Sequence, residues 1–230
     1  MGDINQHYRY IQALSKVQFP VPNSVPNLDR ELNLIKKQGV LSLDEIYGFI
    51  TMISYFNTLH AVGFSEPLAS WIKSIEIPEE IIEIIGYFTE EGEINPERDP
   101  ELFKLERAIK QNRIDIKETL YKLAHSSKLR DYLVVTQVHV NGGEETLLVR
   151  GGVNNAIKAT VAARSSGGYF YILPQSISHL QEKESALVSK KEELIYTYCK
   201  DISAIFFKWE RFLAYINKEY DRFDHYQARV

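Results

Sequence analysis

A change of pattern near Leu133 constrains the fold of this chain more than any other feature. Residues 133–174 contain β-rich runs separated by Gly-containing turns, and helical patterns lie on both sides of them. The runs are YLVVTQVHV, ETLLVR, AIKATVAA and YFYIL, and the turns are NGG, GGVNN and SSGG. Short strands joined by tight turns predict a small antiparallel sheet, inserted between helices.

The helix before the sheet is expected over about 100–126. Asp99 is a good N-cap, and Pro100 suits the first helical position, where its missing amide is not needed. Lys110, Arg113 and Lys117 lie on one flank of this helix, which is either a solvated face or a track for phosphates. The apolar residues share another face: Leu102, Leu105, Ile109, Ile116, Leu120 and Leu123.

A second long helix is expected after Pro174, where Ser178 and Gln181 could form a capping box. Its first part, 181–193, is highly charged. The periodic pattern predicts one helix of about forty residues, near 60 Å in length. Its later apolar residues alternate spacings of three and four: Leu194, Tyr198, Ile202, Ile205, Trp209, Phe212, Ile216, Tyr220 and Phe223.

Shorter helices are predicted in the first 98 residues. Residues 4–16 form the first, and three prolines in 19–27 predict an extended connector after it. Gly39 is expected to end the next helix in a left-handed C-terminal turn, and Ser42 with Glu45 forms a capping box for the one that follows. Two more helices are expected around 66–75 and 78–88.

The fold class that follows is mainly α with a small antiparallel β insertion. We expect a helical core over 1–98, an ascending helix over 99–132, a sheet over 133–175 at the tip, and a descending helix over 176–230 that returns to the core. A charged and half-exposed middle section is typical of a long helix that projects from a core.

The formal net charge is −4, and the charged residues are distributed unevenly along the chain. Residues 1–100 hold 7 Lys and Arg against 15 Asp and Glu, whereas residues 101–230 hold 20 against 16. An anion-binding surface is therefore expected in the second part. A single cysteine, no apolar run near 20 residues and no signal pattern at the start predict a cytoplasmic protein without a membrane span.

Motifs for catalysis or metal binding are not found in the sequence. It lacks the P-loop pattern and the H-E-x-x-H pattern. We interpret His139 and His179 as surface or capping residues, Cys199 as a packing residue, and the run of acids between Glu79 and Glu93 as a solvated face. We therefore expect no catalytic residue, metal site or cofactor in this chain.

The segment RSSGG raises two alternatives. Successive backbone amides of Ser165, Ser166 and Gly167 could hold a phosphate, while a hairpin turn explains the same residues. The residues of the segment alone favour the turn. What supports binding is that Arg150, Lys158 and Arg164 lie on the same small sheet, although Glu144 and Glu145 offset two of these charges. The candidate anion site therefore consists of Arg150, Lys158, Arg164, Ser165, Ser166 and Gly167.

Four segments, in this order, resemble the N-terminal region of the second bacterial branch of the MutS family, the MutS-II proteins. They are LDRELNLIKKQGVLSLDEI from Leu28, EEGEINPERDPELFKLERAI from Glu90, SSGGYFYILP from Ser165 and YDRFDHYQARV from Tyr220. The third is similar to the family's SSSGATLFIEP, with Ser165, Ser166, Gly167, Ile172 and Pro174 identical. Arg164 is an addition of this sequence.

The resemblance implies that the long helices are levers and that the sheet is a clamp. It also implies that an ATPase domain, which binds ATP and Mg²⁺, and a C-terminal nuclease domain follow this region in a homodimeric parent protein. The expected function is non-catalytic binding of branched or mismatched DNA by a protein that suppresses homologous recombination. The alternative is a lever that binds ribosomes or proteins during the rescue of collided ribosomes.

Overall fold

A computed structural model describes residues 2–20, 25 and 27–229 of the protein. The described chain is mainly helical and contains one four-stranded sheet. Five helices precede the long helix α6, the strands follow it, and two helices complete the described chain. Their bounds are α1 Gly2–Leu14, α2 Asp29–Lys36, α3 Leu43–Leu59, α4 Leu68–Lys73, α5 Glu79–Ile85, α6 Pro100–Ala124, β1 Leu133–Asn141, β2 Glu144–Val149, β3 Ala159–Arg164, β4 Phe170–Pro174, α7 Gln175–Lys208 and α8 Glu210–Gln227.

The chain divides into two compact units. The helical unit comprises residues 1–98 and 194–230, and the sheet unit comprises residues 99–193. The division falls within α7, which contributes its first part to the sheet unit and its second part to the helical unit. No helix in the described ranges is both long and apolar enough to cross a membrane.

Aromatic packing dominates the core of the helical unit. Phe223 of α8 is fully buried, and its ring lies 5.8 Å from the rings of Phe19, Tyr55 and Trp71, measured between centroids. Phe206 of α7 meets Phe49 of α3 edge to face at 5.5 Å. Tilted and edge-to-face ring pairs of this kind stabilise a core beyond the apolar area they bury.

Two predicted helix starts are confirmed. The Ser42 hydroxyl accepts from the Glu45 amide at 3.3 Å, and the Glu45 carboxylate accepts from the Ser42 amide at 2.8 Å. Asp99 accepts from the amides of the second and third helical residues of α6, and Pro100 occupies the first position. Each cap satisfies amides that a helix start leaves unpaired, which stabilises the helix by about 1 kcal/mol.

The predicted role of Gly39 is wrong. The left-handed residue after α2 is Gln38, with φ 57°, and α2 ends at Lys36. Gly39 serves a different purpose, because a Cβ atom there would lie 2.3 Å from Leu34 Cδ1 and 3.2 Å from the Leu34 carbonyl oxygen. The glycine allows the chain to pass close to Leu34 rather than to turn.

The last helix begins after Pro174 as predicted, but its predicted capping box and its predicted unbroken length are wrong. α7 begins at Gln175, directly after β4, so Ser178 lies inside the helix and does not cap it. The helix then breaks at Trp209, with φ −104° and ψ 22°, and α8 begins at Glu210. The sequence has no Gly or Pro at the break. The break is held by Glu80 of α5, which accepts from the Trp209 indole at 2.5 Å and from Lys208 Nζ at 2.7 Å.

The predicted connector over 19–27 lies partly outside the described residues, which omit 21–24 and 26. At its described start, the Pro20 carbonyl accepts from the Tyr55 hydroxyl at 2.9 Å.

The sheet is antiparallel throughout, as predicted, with strand order β1-β2-β4-β3. Tight turns join β1 to β2 at Gly142 and Gly143, and β3 to β4 at residues 165–169. The predicted turn GGVNN is not a hairpin, because β2 pairs with β4 and the connection must reach the far edge of the sheet. It contains a short 3-10 helix, Val153–Asn155.

One face of the sheet packs against the long helices within the sheet unit. Leu147 and Val149 of β2 and Ile172 of β4 are buried together with Ile116 and Leu120 of α6. Leu129, in the loop between α6 and β1, is also fully buried in this cluster. The sheet and the loop that leads into it are therefore fixed to one core.

Candidate nucleic-acid interface

Strand register gives the sheet two chemically different ends. Val149 and Arg164 both pair with Phe170, so the ends of β2 and β3 meet the start of β4. Leu133 at the start of β1 pairs with Val149 at this same end. We call it the basic end. The opposite end, which we call the acidic end, holds Asn141, Glu144, Glu145, Ala159 and Pro174.

Arg150 and Arg164 meet at the basic end, on either side of β4. The Arg164 guanidinium carbon lies 5.4 Å from the centre of the Phe170 ring, a cation–π contact. Arg150 is held by its backbone amide, which donates to the Tyr132 carbonyl at 2.8 Å. Both arginine side chains are exposed.

Lys158 does not join these two arginines. It precedes Ala159, which pairs with Pro174, and its carbonyl accepts from the Gln175 amide at 2.9 Å. Six strand steps separate Lys158 from Arg164, which is about 20 Å. The structure therefore places Lys158 at the acidic end, where β4 separates it from the two glutamates of β2.

Lys128 and Arg130 are two cations that sequence reasoning missed. They lie in the loop between α6 and β1, and both are exposed. Buried Leu129 anchors this loop, and its carbonyl accepts from the amides of Tyr132 and Leu133. The loop therefore reaches the basic end beside Arg150. In the sequence, two cations within three residues are only a weak indication of an anion-binding site. The strand pairing shows that they lie near Arg150.

The basic end has four exposed cations, Lys128, Arg130, Arg150 and Arg164, and one nearby acid, Asp131. Within the described part of the chain, none of the four cations forms an ion pair. Some cations on the long helices are paired instead, and Lys191 Nζ, for example, lies 2.7 Å from the Glu106 carboxylate. The charge of the basic end therefore remains available to an anionic partner.

The RSSGG segment forms a closed hairpin turn. The Ser165 amide donates to the Tyr169 carbonyl at 2.9 Å, and the Gly168 amide donates to the Ser165 carbonyl at 3.2 Å. The Ser165 hydroxyl accepts from the Tyr169 amide at 3.1 Å, and Gly168 has φ 78°. Among the described residues, nothing accepts from the amides of Ser166 and Gly167. The segment is therefore a hairpin turn, as one alternative predicted, and the turn leaves the amides of Ser166 and Gly167 exposed at the basic end.

The three candidate cations of α6 are separated in the structure. Arg113 Nε lies 2.6 Å from the Glu184 carboxylate of α7. Lys117 lines a groove with Arg113 and three glutamates, Glu144, Glu145 and Glu184. Lys110 is exposed and does not line this groove. Because carboxylates outnumber cations in the groove, it is a poor phosphate track.

The remaining candidate groups have structural roles. Cys199 is buried in the helical core, and burial raises the pKa of its thiol, as expected of a packing residue. His139 of β1 meets the Tyr171 ring edge to face, and His179 lies 3.5 Å from Glu182 on α7. In the part of the chain that is described, no three His, Cys, Asp or Glu side chains are grouped to hold a metal.

Comparison with known proteins gives a consistent result across organisms. No family model matches the sequence. Proteins named Endonuclease MutS2 from two strains of Helicobacter pylori are 30% identical over alignments of 236 residues, which cover 100% of this chain. The chain is similar to MutS2 proteins along its whole length. An Aquifex aeolicus protein of the same name is 27% identical over 194 residues, or 78% of this chain.

This similarity to MutS2 proteins agrees with the resemblance of the sequence motifs. The chain spans only 30% of the length of the Helicobacter relatives and 25% of the Aquifex relative.

Proposed function

We propose that this chain is the non-catalytic lever-and-clamp region of a MutS2-like protein and that the basic end of its sheet binds nucleic-acid phosphates. In this proposal α6 and α7 are the levers and the four-stranded sheet is the clamp. ATP, Mg²⁺ and nuclease chemistry belong to other domains of the longer protein, which acts as a homodimer in the cytoplasm.

The observation that carries the proposal is the group of four unpaired cations at one end of the sheet. Lys128, Arg130, Arg150 and Arg164 come from three different segments, which the strand register brings to the same end. The exposed amides of Ser166 and Gly167 add two neutral donors for phosphate oxygens. Such donors are suited to the phosphates of a polyanion.

Contacts of this kind predict sequence-independent binding. Phosphate contacts fix the position of a protein on nucleic acid without reporting the base sequence. Each neutralised phosphate releases counterions, so affinity falls as salt rises, with a slope of about 0.9 per contact on duplex DNA. Preference for branched DNA and suppression of recombination complete the proposal, as the family resemblance implies.

Fluorescence anisotropy with the full 230-residue chain tests this function. The probes are a four-way junction, a matched duplex and single-stranded DNA, each at low and moderate salt. We expect binding that prefers the junction, weakens with salt and falls in Lys128→Ala/Arg130→Ala and in Arg150→Ala/Arg164→Ala. Lys110→Ala/Lys117→Ala removes the same charge from α6 and should leave affinity almost unchanged.

Two results would contradict the proposal. One is equal loss of affinity in all three double variants, which would mean that only net charge matters. The other is no DNA binding even at low salt. Ribosome pelleting of the same chain then tests the alternative target, because ribosomal RNA offers the same phosphates.

A further inference from the structure

Tyr169 lies in the hairpin turn between β3 and β4, next to the cations of the basic end. The residue is 37% exposed, although it is a large aromatic residue. Its neighbour Phe170 differs, because the Arg164 guanidinium lies over the Phe170 ring. Among the described residues, no aromatic ring or cation is stacked on Tyr169. The Tyr169 ring therefore presents an apolar surface within a charged region.

The turn holds Tyr169 in a defined position. Its amide and carbonyl are both bonded to Ser165, at 3.1 Å and 2.9 Å. Its ring lies close to Gly167, where a Cβ atom would be only 3.3 Å from Tyr169 Cε2. Any side chain at position 167 would therefore press on the ring. The glycine that the sequence suggested as a phosphate ligand also makes room for this tyrosine.

An exposed and fixed aromatic ring among cations is suited to one chemical partner. A flat nucleobase stacks on an aromatic side chain, while neighbouring cations hold the phosphates on either side of it. Bases inside a duplex are already stacked on each other and cannot reach such a ring. The combination therefore favours nucleotides that are unpaired.

We propose that Tyr169 is a stacking platform for an unpaired nucleobase, of the kind found in a single strand or at a branch point. This inference rests on the proposed function, since the cations of the basic end supply the phosphate contacts. It adds a substrate class that phosphate contacts alone do not select. DNA and RNA share the required chemistry, so both are included in the test.

The test uses a short oligothymidine with one central 2-aminopurine, whose fluorescence falls when it stacks. The probe is prepared as single-stranded DNA, as single-stranded RNA of the same sequence and as a duplex. Each form is mixed with the full chain and with two variants. Tyr169→Leu removes the ring, and Tyr169→Phe keeps it. We expect the unmodified chain and Tyr169→Phe to quench single strands, with the DNA and RNA arms showing which one is preferred.

Tyr169→Leu is expected to lose the quenching and to bind single strands at least about fivefold more weakly, with duplex affinity changed less than about twofold. Unchanged quenching and affinity in Tyr169→Leu would overturn this inference alone, provided that Arg150→Ala/Arg164→Ala still weakens binding. Equal weakening on single strands and duplex would also overturn it. If the unmodified chain binds none of the probes, the proposed function fails and takes this inference with it.

Discussion

Arg222 and Arg164 show how the two units use the same guanidinium group differently. In the helical unit, the Arg222 guanidinium carbon lies 4.9 Å from the centre of the Trp71 ring, with Tyr10 and Tyr226 at 5.6 Å and 5.9 Å. Arg222 Nη1 also lies 3.7 Å from Oε2 of Glu219, whose side chain is only 8% exposed. Among the described residues, Arg164 in the sheet unit contacts one ring and forms no ion pair with a carboxylate.

The difference separates structural cations from available ones. Glu219 is buried and also accepts from the Trp71 indole, so Arg222 is required to balance its charge. Within the described part of the protein, Arg164 does not neutralise a carboxylate, so its charge is available to a binding partner. We therefore expect mutations in the helical unit to change stability, and mutations at the basic end to change binding.

Phe223→Ala should give the largest effect, which falls on stability. The side chain is fully buried among four aromatic rings, so truncation would leave a cavity and destabilise the protein by about 3–5 kcal/mol. Urea denaturation followed by circular dichroism measures the change. Tyr196→Ala removes an exposed aromatic from α7 and should cost less than about 1 kcal/mol. Similar losses in both variants would contradict this packing.

A comparison of Arg222→Ala with Arg164→Ala tests the two arginines directly. Arg222→Ala leaves Glu219 without its cation and uncovers three rings, so we expect a loss of about 1–2 kcal/mol. Arg164→Ala should cost about 0.5 kcal/mol or less. The order should reverse for DNA affinity, which falls only in Arg164→Ala. Equal losses of stability in the two variants would contradict the distinction between a structural arginine in the helical unit and an available one in the sheet unit.

Substitution of Glu80 should have a smaller, pH-dependent effect on the stability of the protein. Hydrogen bonds from Lys208 and Trp209 lower its pKa below the usual carboxyl value of 4.5. A carboxyl group with a lowered pKa in the folded state stabilises the protein above its unfolded pKa, and this stability disappears as pH falls through the folded pKa. Glu80→Gln should therefore lower the urea midpoint at neutral pH, and the difference should shrink in acid. A difference that persists in strong acid would contradict the assigned contact.

Local sequence signals predicted the elements of this fold well. Asp99 and Pro100 mark the start of α6 because they satisfy or avoid the unpaired amides of a first turn. The alternating apolar runs and Gly-rich turns marked all four strands, because strand propensity and turn chemistry are local properties.

Long-range contacts decided the features that the sequence did not predict. Nothing near Trp209 in the sequence breaks the helical pattern, and the hydrogen bonds at the break are made by Glu80, which lies more than a hundred residues earlier. The pairing of β1 with β2 brings the loop of Lys128 and Arg130 to the basic end, and the pairing of β2 and β3 with β4 brings Arg150 and Arg164 to that same end. Such pairings depend on the packing of the whole sheet, so a list of cations could not show which of them are neighbours.

The salt dependence of junction binding tests the central claim most directly. With four phosphate contacts, a plot of log affinity against log salt should have a slope of about −3 to −4 for the unmodified chain. The slope should become shallower by about two in Arg150→Ala/Arg164→Ala and should not change in Lys158→Ala, at the acidic end of the same sheet. A slope that is unchanged in the double variant, or that Lys158→Ala reduces as much as Arg164→Ala does, would contradict binding at the basic end.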